Sequence, residues 1–568
     1  MNEASTTHQK NLSKPSSSYA FWVGFGIFLS RISGLIRSRV FAYYLGNSAA
    51  AGAFRAALRI PNFLQNLFGE GVLSASFIPV YSKLLAENEQ ELADQVAGIV
   101  GSLLAVGMAI FVLLGVTFTP TFVDAIAPGF TGGTRILTIE LVRILFPGVG
   151  LLVLSAWCLG ILNSHRKFFL SYAAPVVWNG AMVAALIFGG HMTRSLASLT
   201  VYLAWGAVAG ALLQFLVQVP IVYKLTKGWH WSLEHRISHV REIFKNSIPV
   251  VVSRGVVQLS AYIDSIIGSF LGASAVACLG YAQTIYLLPF SLFGMSVAAA
   301  ELPDMSSTDH DHQGGHEALR RRLTVSRQHM AYFVAPSVVV LIFLGRYVVE
   351  AIFQTGHFSA NDTLYVWYVL IGMAIGLFVS TWSRLYQSAF YALRDTKTPL
   401  KYAVIRVILT ALLGYLFAFP LRSFITHFCF HVIGLAVPHI HNVELGMGAV
   451  GLTASAGLSA FVEFGGLHLA LSNKIGRLTM PFQFLFKIGS AACAAAVVVI
   501  GLTKLNLKAS LLFRILHAHW LHYDFTAVFW LFVFGALYLA ITWFLNVDES
   551  RQIFRKISST LKVFRPRR

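Results

Sequence analysis

Charge is what this sequence has least of. Of its 568 residues only 12% are Asp, Glu, Lys or Arg, and just 24 are acidic. A soluble chain wets its surface with about a quarter charged residues, so a soluble globular fold of this length is excluded. Cysteine is nearly missing: Cys158, Cys278, Cys429 and Cys493 all lie in apolar context without CxxC spacing. They read as ordinary buried thiols rather than a disulfide framework or a metal site. No Walker loop (GxxxxGK[ST]), HExxH or GxSxG occurs, which argues against nucleotide hydrolysis, zincin chemistry and a hydrolase serine elbow. Short alternating segments of the kind that build a membrane β-barrel are absent too.

What is present is apolar: 56% of residues are hydrophobic, with a mean hydropathy of +0.67. Long apolar stretches recur from residue 20 to 546, each able to cross a hydrocarbon core that needs roughly 20 helical residues. Helix is the default because every backbone polar group must be satisfied inside lipid. The expected fold is an all-α polytopic membrane protein of fourteen helices. These lie at about 19–45, 50–84, 94–118, 135–163, 168–190, 198–225, 244–271, 273–303, 327–353, 362–392, 402–420, 444–472, 483–504 and 524–546. Residues 421–443 are either an interfacial segment or an extra short helix. Arg31, Arg37 and Arg39 interrupt the first stretch, unlike the uncharged core of a cleavable signal, so it is read as a retained helix.

The net charge of +19 does not point to nucleic acid, because the cations collect in short loops and the C-terminal tail. With both termini cytoplasmic, alternate loops separate by charge: Arg166 and Lys167, Arg320 to Arg322, and Arg394 with Lys397 fall on one side. That is the positive-inside pattern. The expected organisation is a tail (1–18), a six-helix lobe (19–225), a linker (226–243), a second lobe (244–475), a final helix pair (476–547) and a basic tail (548–568).

An internal repeat relates the two lobes. Ser30-Arg31 recurs as Ser253-Arg254, Leu45-Gly46-x-Ser48-Ala49 as Leu271-Gly272-x-Ser274-Ala275, and Phe68-Gly69 as Phe293-Gly294. The offset stays near 225 residues, about one six-helix unit. Six spans return the chain to its starting side, so the lobes are expected as parallel repeats about an axis along the membrane normal, enclosing a cavity.

Arg31 lies in mid-helix between FWVGFGIFLS and ISGLI. A cation at that depth costs from about 2.5 to more than 10 kcal/mol unless water or an anion relieves it. The competing reading is a structural arginine capping carbonyls or paired with a carboxylate. Arg37 is about 120° around a straight helix from Arg31, and Gly34 between them permits a bend. The second helix adds Arg55 and Arg59 before Pro61-Asn62, then Gln65 and Glu70; Pro61 invites a broken helix there. The candidate substrate-binding set is therefore Ser30, Arg31, Gly34, Arg37, Arg55, Asn62, Gln65, Glu70 and Arg254. Intramembrane acids are few (Glu70, Glu140, Asp264, Glu301, Glu463), and guanidinium binds phosphate bidentately without losing its charge. His427 and His431, at i, i+4 spacing, are read as loop polar residues rather than metal ligands. No cofactor and no metal is called for.

Five stretches carry a resemblance: SRISGLIRSRVFAYYLG (30–46), RIPNFLQNLFGEGVLSASFIPVYS (59–82), ILFPGVGLLVLSAWCLGILNS (144–164), FQTGHFSANDT (353–363) and YALRDTKTPLKYA (391–403). Together they resemble the MurJ/MviN family of lipid II flippases, within the multidrug/oligosaccharidyl-lipid/polysaccharide exporter superfamily. The resemblance implies two six-helix lobes and two C-terminal helices that form a groove for a polyprenyl tail. It implies movement of undecaprenyl-pyrophosphate-linked peptidoglycan precursor from the inner to the outer leaflet of the bacterial cytoplasmic membrane. Expected partners are that glycolipid (lipid II), membrane lipids and cell-wall synthesis proteins. Arg31 and Arg37 fall on the family's first-helix arginines. The sequence departs from the family at Gln65, which replaces a helix-2 arginine, at Ser38, which replaces an acid, and at Gln283-Thr284, which replaces an Asp-Arg pair. Arg254 and Arg55 are expected to supply the missing charge.

A cytoplasm-negative potential drives an anion outward by about 2.3 kcal/mol per charge per 100 mV, so no nucleotide is required. The alternatives are an exporter of another polyprenyl-linked glycolipid, a non-transporting scaffold of the cell-wall machinery, and a polytopic glycosyltransferase or acyltransferase.

Overall fold

The computed structural model describes residues 17–226, 238–298, 301, 305, 313–432, 434, 436–437, 443–479, 482–504 and 522–563. Within helices, the side chains of 17–24, 60–61, 70–71, 249–250, 252–261, 313–314, 432, 443–446, 504, 522–526 and 556–563 lie outside the description. Among the described residues there is no strand. By contacts the chain forms two compact units, Met1–Ile266 and Ile267–Arg568.

The first unit runs α1 (Ser17–Leu45), α2 (Ala49–Phe68), α3 (Glu70–Ala86), α4 (Gln90–Thr117), α5 (Thr119–Ile126), α6 (Gly132–Ser164), α7 (Phe168–Met192), α8 (Leu196–Leu225) and most of α9 (Ser238–Phe270). In the second, α10 (Ala273–Pro289) runs into a π-turn at Phe290–Met295. Then come α11 (Gln313–Val339), a second π-turn (Val340–Leu344), α12 (Gly345–Phe353), α13 (Ala360–Ala392), α14 (Lys397–Ala418), α15 (Arg422–His427), α16 (Val443–Ile475), α17 (Phe482–Lys504), α18 (His522–Phe544) and α19 (Asp548–Val563).

Among the described residues 11 helices are long and apolar enough to cross a membrane. The expected first, second and seventh helices are not among them, and the second is divided in two. Pro61 does not break it. The break falls at Gly69, where φ −88° and ψ −138° leave the helical region, and a β-carbon would run into the carbonyl oxygen of Gln65. The sequence also gave no warning of α5 in the loop at 119–134. Residues 421–443 contain the short helix α15 followed by a π-turn at Phe428–Val432, and the tail after residue 547 begins as a helix.

In lipid, helices gain little from hiding apolar surface from one another, so small residues and interhelical hydrogen bonds hold them together. In the second unit α13 and α16 touch backbone to backbone: a β-carbon on Gly376 would sit 2.5 Å from the Gly457 Cα. Thr453 at the same crossing donates to the Val369 carbonyl at 3.0 Å. In the first unit Trp178 of α7 donates to the Ala207 carbonyl of α8 at 3.0 Å, and Gln214 and Gln218 of α8 both reach Ser155 of α6 at 3.0 Å. Helix α18 is tied to α11 by Tyr538, whose hydroxyl donates to the Tyr332 carbonyl at 2.8 Å.

Helix ends repeat across the units. After α6, Arg166 turns left-handed (φ 59°) and Lys167 N–H closes onto the Leu162 carbonyl at 2.8 Å. After α13, Arg394 (φ 56°) and Asp395 N–H onto Phe390 at 2.9 Å do the same, a helix-ending motif usually built around glycine. Burial raises the Asp395 carboxyl, but bonds from Lys474 and Thr398 outweigh it and hold the group well below the usual carboxylate range.

Candidate functional site

Helix α1 places Arg31 about 21 Å of helix rise, and Arg37 about 12 Å, from its C-terminal end. Helix α2 runs back beside it, with Arg55 and Arg59 about 9 and 15 Å from its start. The Arg37 guanidinium lies over the Trp178 ring, 5.2 Å from its centre. That of Arg55 lies over Phe41 at 5.0 Å, and the two cations are within electrostatic reach of each other. Arg59 interacts with Asp264 of α9 and also with Arg55, while its carbonyl accepts from the Tyr262 hydroxyl at 2.8 Å. The first unit thus brings Arg37 near Arg55 and Arg55 near Arg59, and Arg59 meets Asp264.

Arg31 stands apart, exposed, and makes no hydrogen bond or ion pair among the described residues. Ser30 contributes its carbonyl, which accepts from Ser33 at 2.9 Å; Ser33 in turn accepts from Asn179 of α7 at 2.9 Å. Gly34 lies beside that same Asn179, with room for a β-carbon at 3.9 Å. Asn62 and Gln65 are half-buried on α2, and the Gln65 carbonyl accepts from the Gly69 amide at 2.7 Å. Arg254 and Glu70 lie on α9 and α3, and their side chains are outside the described residues. Ser38 is buried and turned back on its own helix, bonding the Gly34 carbonyl at 2.9 Å.

The second unit holds a polar cluster of which the sequence reading named only Glu463, as an intramembrane acid. Glu463 of α16 is 2% exposed; one oxygen accepts from Arg406 of α14 at 2.8 Å and the other from Gln387 of α13 at 3.0 Å. Arg384 sits one turn before Gln387. The signal was available in STWSRLYQ (380–387), an arginine in mid-helix like Arg31. Thr284 is spent on its own helix, bonding the Gly280 carbonyl at 2.9 Å. His427 and His431 stack with ring centres 4.5 Å apart, and no metal-ligand cluster occurs among the described residues. Chemically, the arrangement in the first unit concentrates positive charge, and Arg37, held by an aromatic face, makes no hydrogen bond among the described residues.

A family profile described as "Lipid II flippase MurJ" matches residues 41–525. Among curated relatives, the lipid II flippase MurJ of Burkholderia cenocepacia is 30% identical over 396 residues, covering 68% of this chain and 76% of that one. The probable lipid II flippase MurJ of Vibrio cholerae is 27% identical over 487 residues, covering 83% and 86%. Among solved structures, "Lipid II flippase MurJ, inward closed conformation" aligns with a TM-score of 0.71 at 22% identity, over 93% of this chain and 99% of that one. An inward-facing multidrug resistance MATE family transporter of the MOP superfamily aligns at 0.59 and 17% identity, over 78% and 95%. These two likenesses show the fold.

Proposed function

Because the chain belongs to the MurJ family of lipid II flippases, we propose that it translocates lipid II across the bacterial cytoplasmic membrane. The substrate is the undecaprenyl-pyrophosphate-linked peptidoglycan precursor, moved from the inner to the outer leaflet by alternating access. The observation that carries this reading is the arginine set of α1 and α2, in which Arg37 rests on Trp178 and makes no hydrogen bond among the described residues.

The physical problem is to take a pyrophosphate through a layer that will not solvate it. Arg31 and Arg37 offer it charge-assisted donors, each such bond shorter and stronger than a neutral one. Arg55 and Arg254 add charge where Gln65 and Thr284 are neutral. Asn62 and Gln65 supply neutral hydrogen bonds to the headgroup, and the polyprenyl tail stays in lipid beside α17 and α18. Both termini are cytoplasmic in this reading, which puts Arg166 and Arg394 on the cytoplasmic face. An anion then leaves a negative compartment, so the potential assists translocation and nucleotide is not consumed.

The test is the accessibility of labelled precursor at the outer leaflet of vesicles, with and without the protein. Protein-dependent exposure that slows when the potential is collapsed supports the reading; equal exposure in empty vesicles defeats it.

A further inference from the structure

Arg384 is the one residue of the polar cluster in the second unit that fold stability does not account for. It lies on α13 about 12 Å of helix rise from the C-terminal end. A cation at such depth is costly unless water or an anion relieves it. Its neighbours do not neutralise it. Both oxygens of Glu463, the acid of the cluster, are engaged by Arg406 and Gln387. Arg384 itself donates one bond, 3.3 Å, to the neutral Oε1 of Gln387. Its guanidinium lies over the Phe290 ring, 5.9 Å from the centre, at the start of the π-turn that interrupts α10.

This geometry repeats that of Arg37 over Trp178 in the other unit: an aromatic face positions the cation and leaves donor edges open. Around it stand Tyr286 of α10, hydrogen-bonded to Ser380 and within electrostatic reach of both Arg384 and Arg406, and Tyr391. Two guanidiniums against one carboxylate leave the cluster net positive, and Arg384 is its exposed member. Thr284, where the sequence lacks a cation, lies on the same helix as Tyr286, and Phe290 continues it.

From this we infer that Arg384, steadied by Phe290 and Gln387, is a phosphate-binding residue of the second unit and contacts the pyrophosphate of the transported lipid. The inference rests on the flippase reading and names a contact that the first-helix arginines do not supply.

The test compares wild type, Arg384→Gln, Arg384→Lys and the control Arg135→Gln, purified into lipid nanodiscs. Binding is titrated with undecaprenyl pyrophosphate, inorganic pyrophosphate and phosphatidylglycerol, and precursor translocation is measured in vesicles. Arg135 is an exposed residue engaged bidentately by Asp124. The expected result is a loss of about tenfold in affinity for undecaprenyl pyrophosphate in Arg384→Gln. Most of that is recovered by Arg384→Lys, with unfolding temperatures unchanged. Wild-type affinity in Arg384→Gln overturns the inference. So does a loss that is equal for phosphatidylglycerol, one confined to inorganic pyrophosphate, or one accompanied by a lowered unfolding temperature. If wild type itself does not translocate precursor, the flippase reading falls, and this inference with it.

Discussion

Intramembrane arginines are held in two ways, on an aromatic ring or against a carboxylate, and both units use both: Arg384 of the second unit rests on Phe290, and Arg59 of the first meets Asp264. In the first, Arg37 and Arg55 rest on the rings of Trp178 and Phe41. In the second, Arg406 closes an ion pair on Glu463, whose other oxygen is taken by Gln387. A ring satisfies the cation without using its N–H edges, at about 0.5–2 kcal/mol, whereas a carboxylate consumes them. The ring leaves Arg37 without a hydrogen bond among the described residues; the carboxylate ties α16 to α14 and α13.

The sharpest break of that comparison is functional. Arg37→Ala is expected to reduce precursor translocation about 10- to 100-fold, since a lost bond to a charged group costs about 1.5–3 kcal/mol, while leaving the unfolding temperature unchanged. A variant as active as wild type in vesicles would dissolve the distinction between ring-held and carboxylate-held arginines.

Next in size is the converse. Arg406→Leu leaves Glu463 buried without its cation and is expected to destabilise the protein by about 3 kcal/mol, the lower end for a buried pair because Arg406 is partly exposed. The double variant Arg406→Leu, Glu463→Leu should restore most of this, read by thermal unfolding in detergent. If single and double variants unfold alike, the pair is not structural.

Third come the repeat-mate glycines. Gly69→Ala drives a β-carbon into the Gln65 backbone carbonyl, whereas Gly294→Ala meets the Thr381 methyl at 2.8 Å. A side chain yields more readily than backbone, so Gly69→Ala is expected to cost more, within the roughly 1–3 kcal/mol of overpacking. Equal losses in unfolding temperature would contradict this.

The smallest effect concerns His165, which follows α6 and pairs its Nε2 with the Tyr81 hydroxyl at 3.0 Å. Burial, then the Lys167 charge, lower its imidazole below the ordinary value. The unfolded chain therefore takes the proton first: stability is full above the unfolded pKa, roughly 6.5, and declines as pH falls through the folded one. Unfolding temperatures of wild type should drop from pH 7 to 5 more than those of His165→Gln.

Much of the fold was legible because lipid demands long apolar runs, and such runs are local. Ser48 and Ser359, each accepting an amide from the first turn of α2 and α13, are equally local. The break in the second helix was not read correctly. Pro61 looks like a breaker because it removes one hydrogen bond, a loss the helix absorbs. Gly69 ends α2 because only a residue without a β-carbon passes the Gln65 carbonyl, and that contact is invisible in a string of letters. The arginines of α1 and α2 could be found by depth alone, as could Arg384 had α13 been scanned as α1 was. That Arg406 belongs to Glu463, or that Trp178 lies beneath Arg37, depends on which helices become neighbours, and no local pattern states it.

The left-handed residues at the ends of α6 and α13 carry a consequence of their own. Asn88 and Asn546 occupy matching bends (φ 62° and 58°), where a short polar side chain tolerates the conformation. Arg166 and Arg394 do not, by about 1–2 kcal/mol. Glycine there would make a firmer molecule and a blanker boundary. The chain instead places a charged side chain on each strained bend, so backbone strain and positive charge coincide at the ends of α6 and α13.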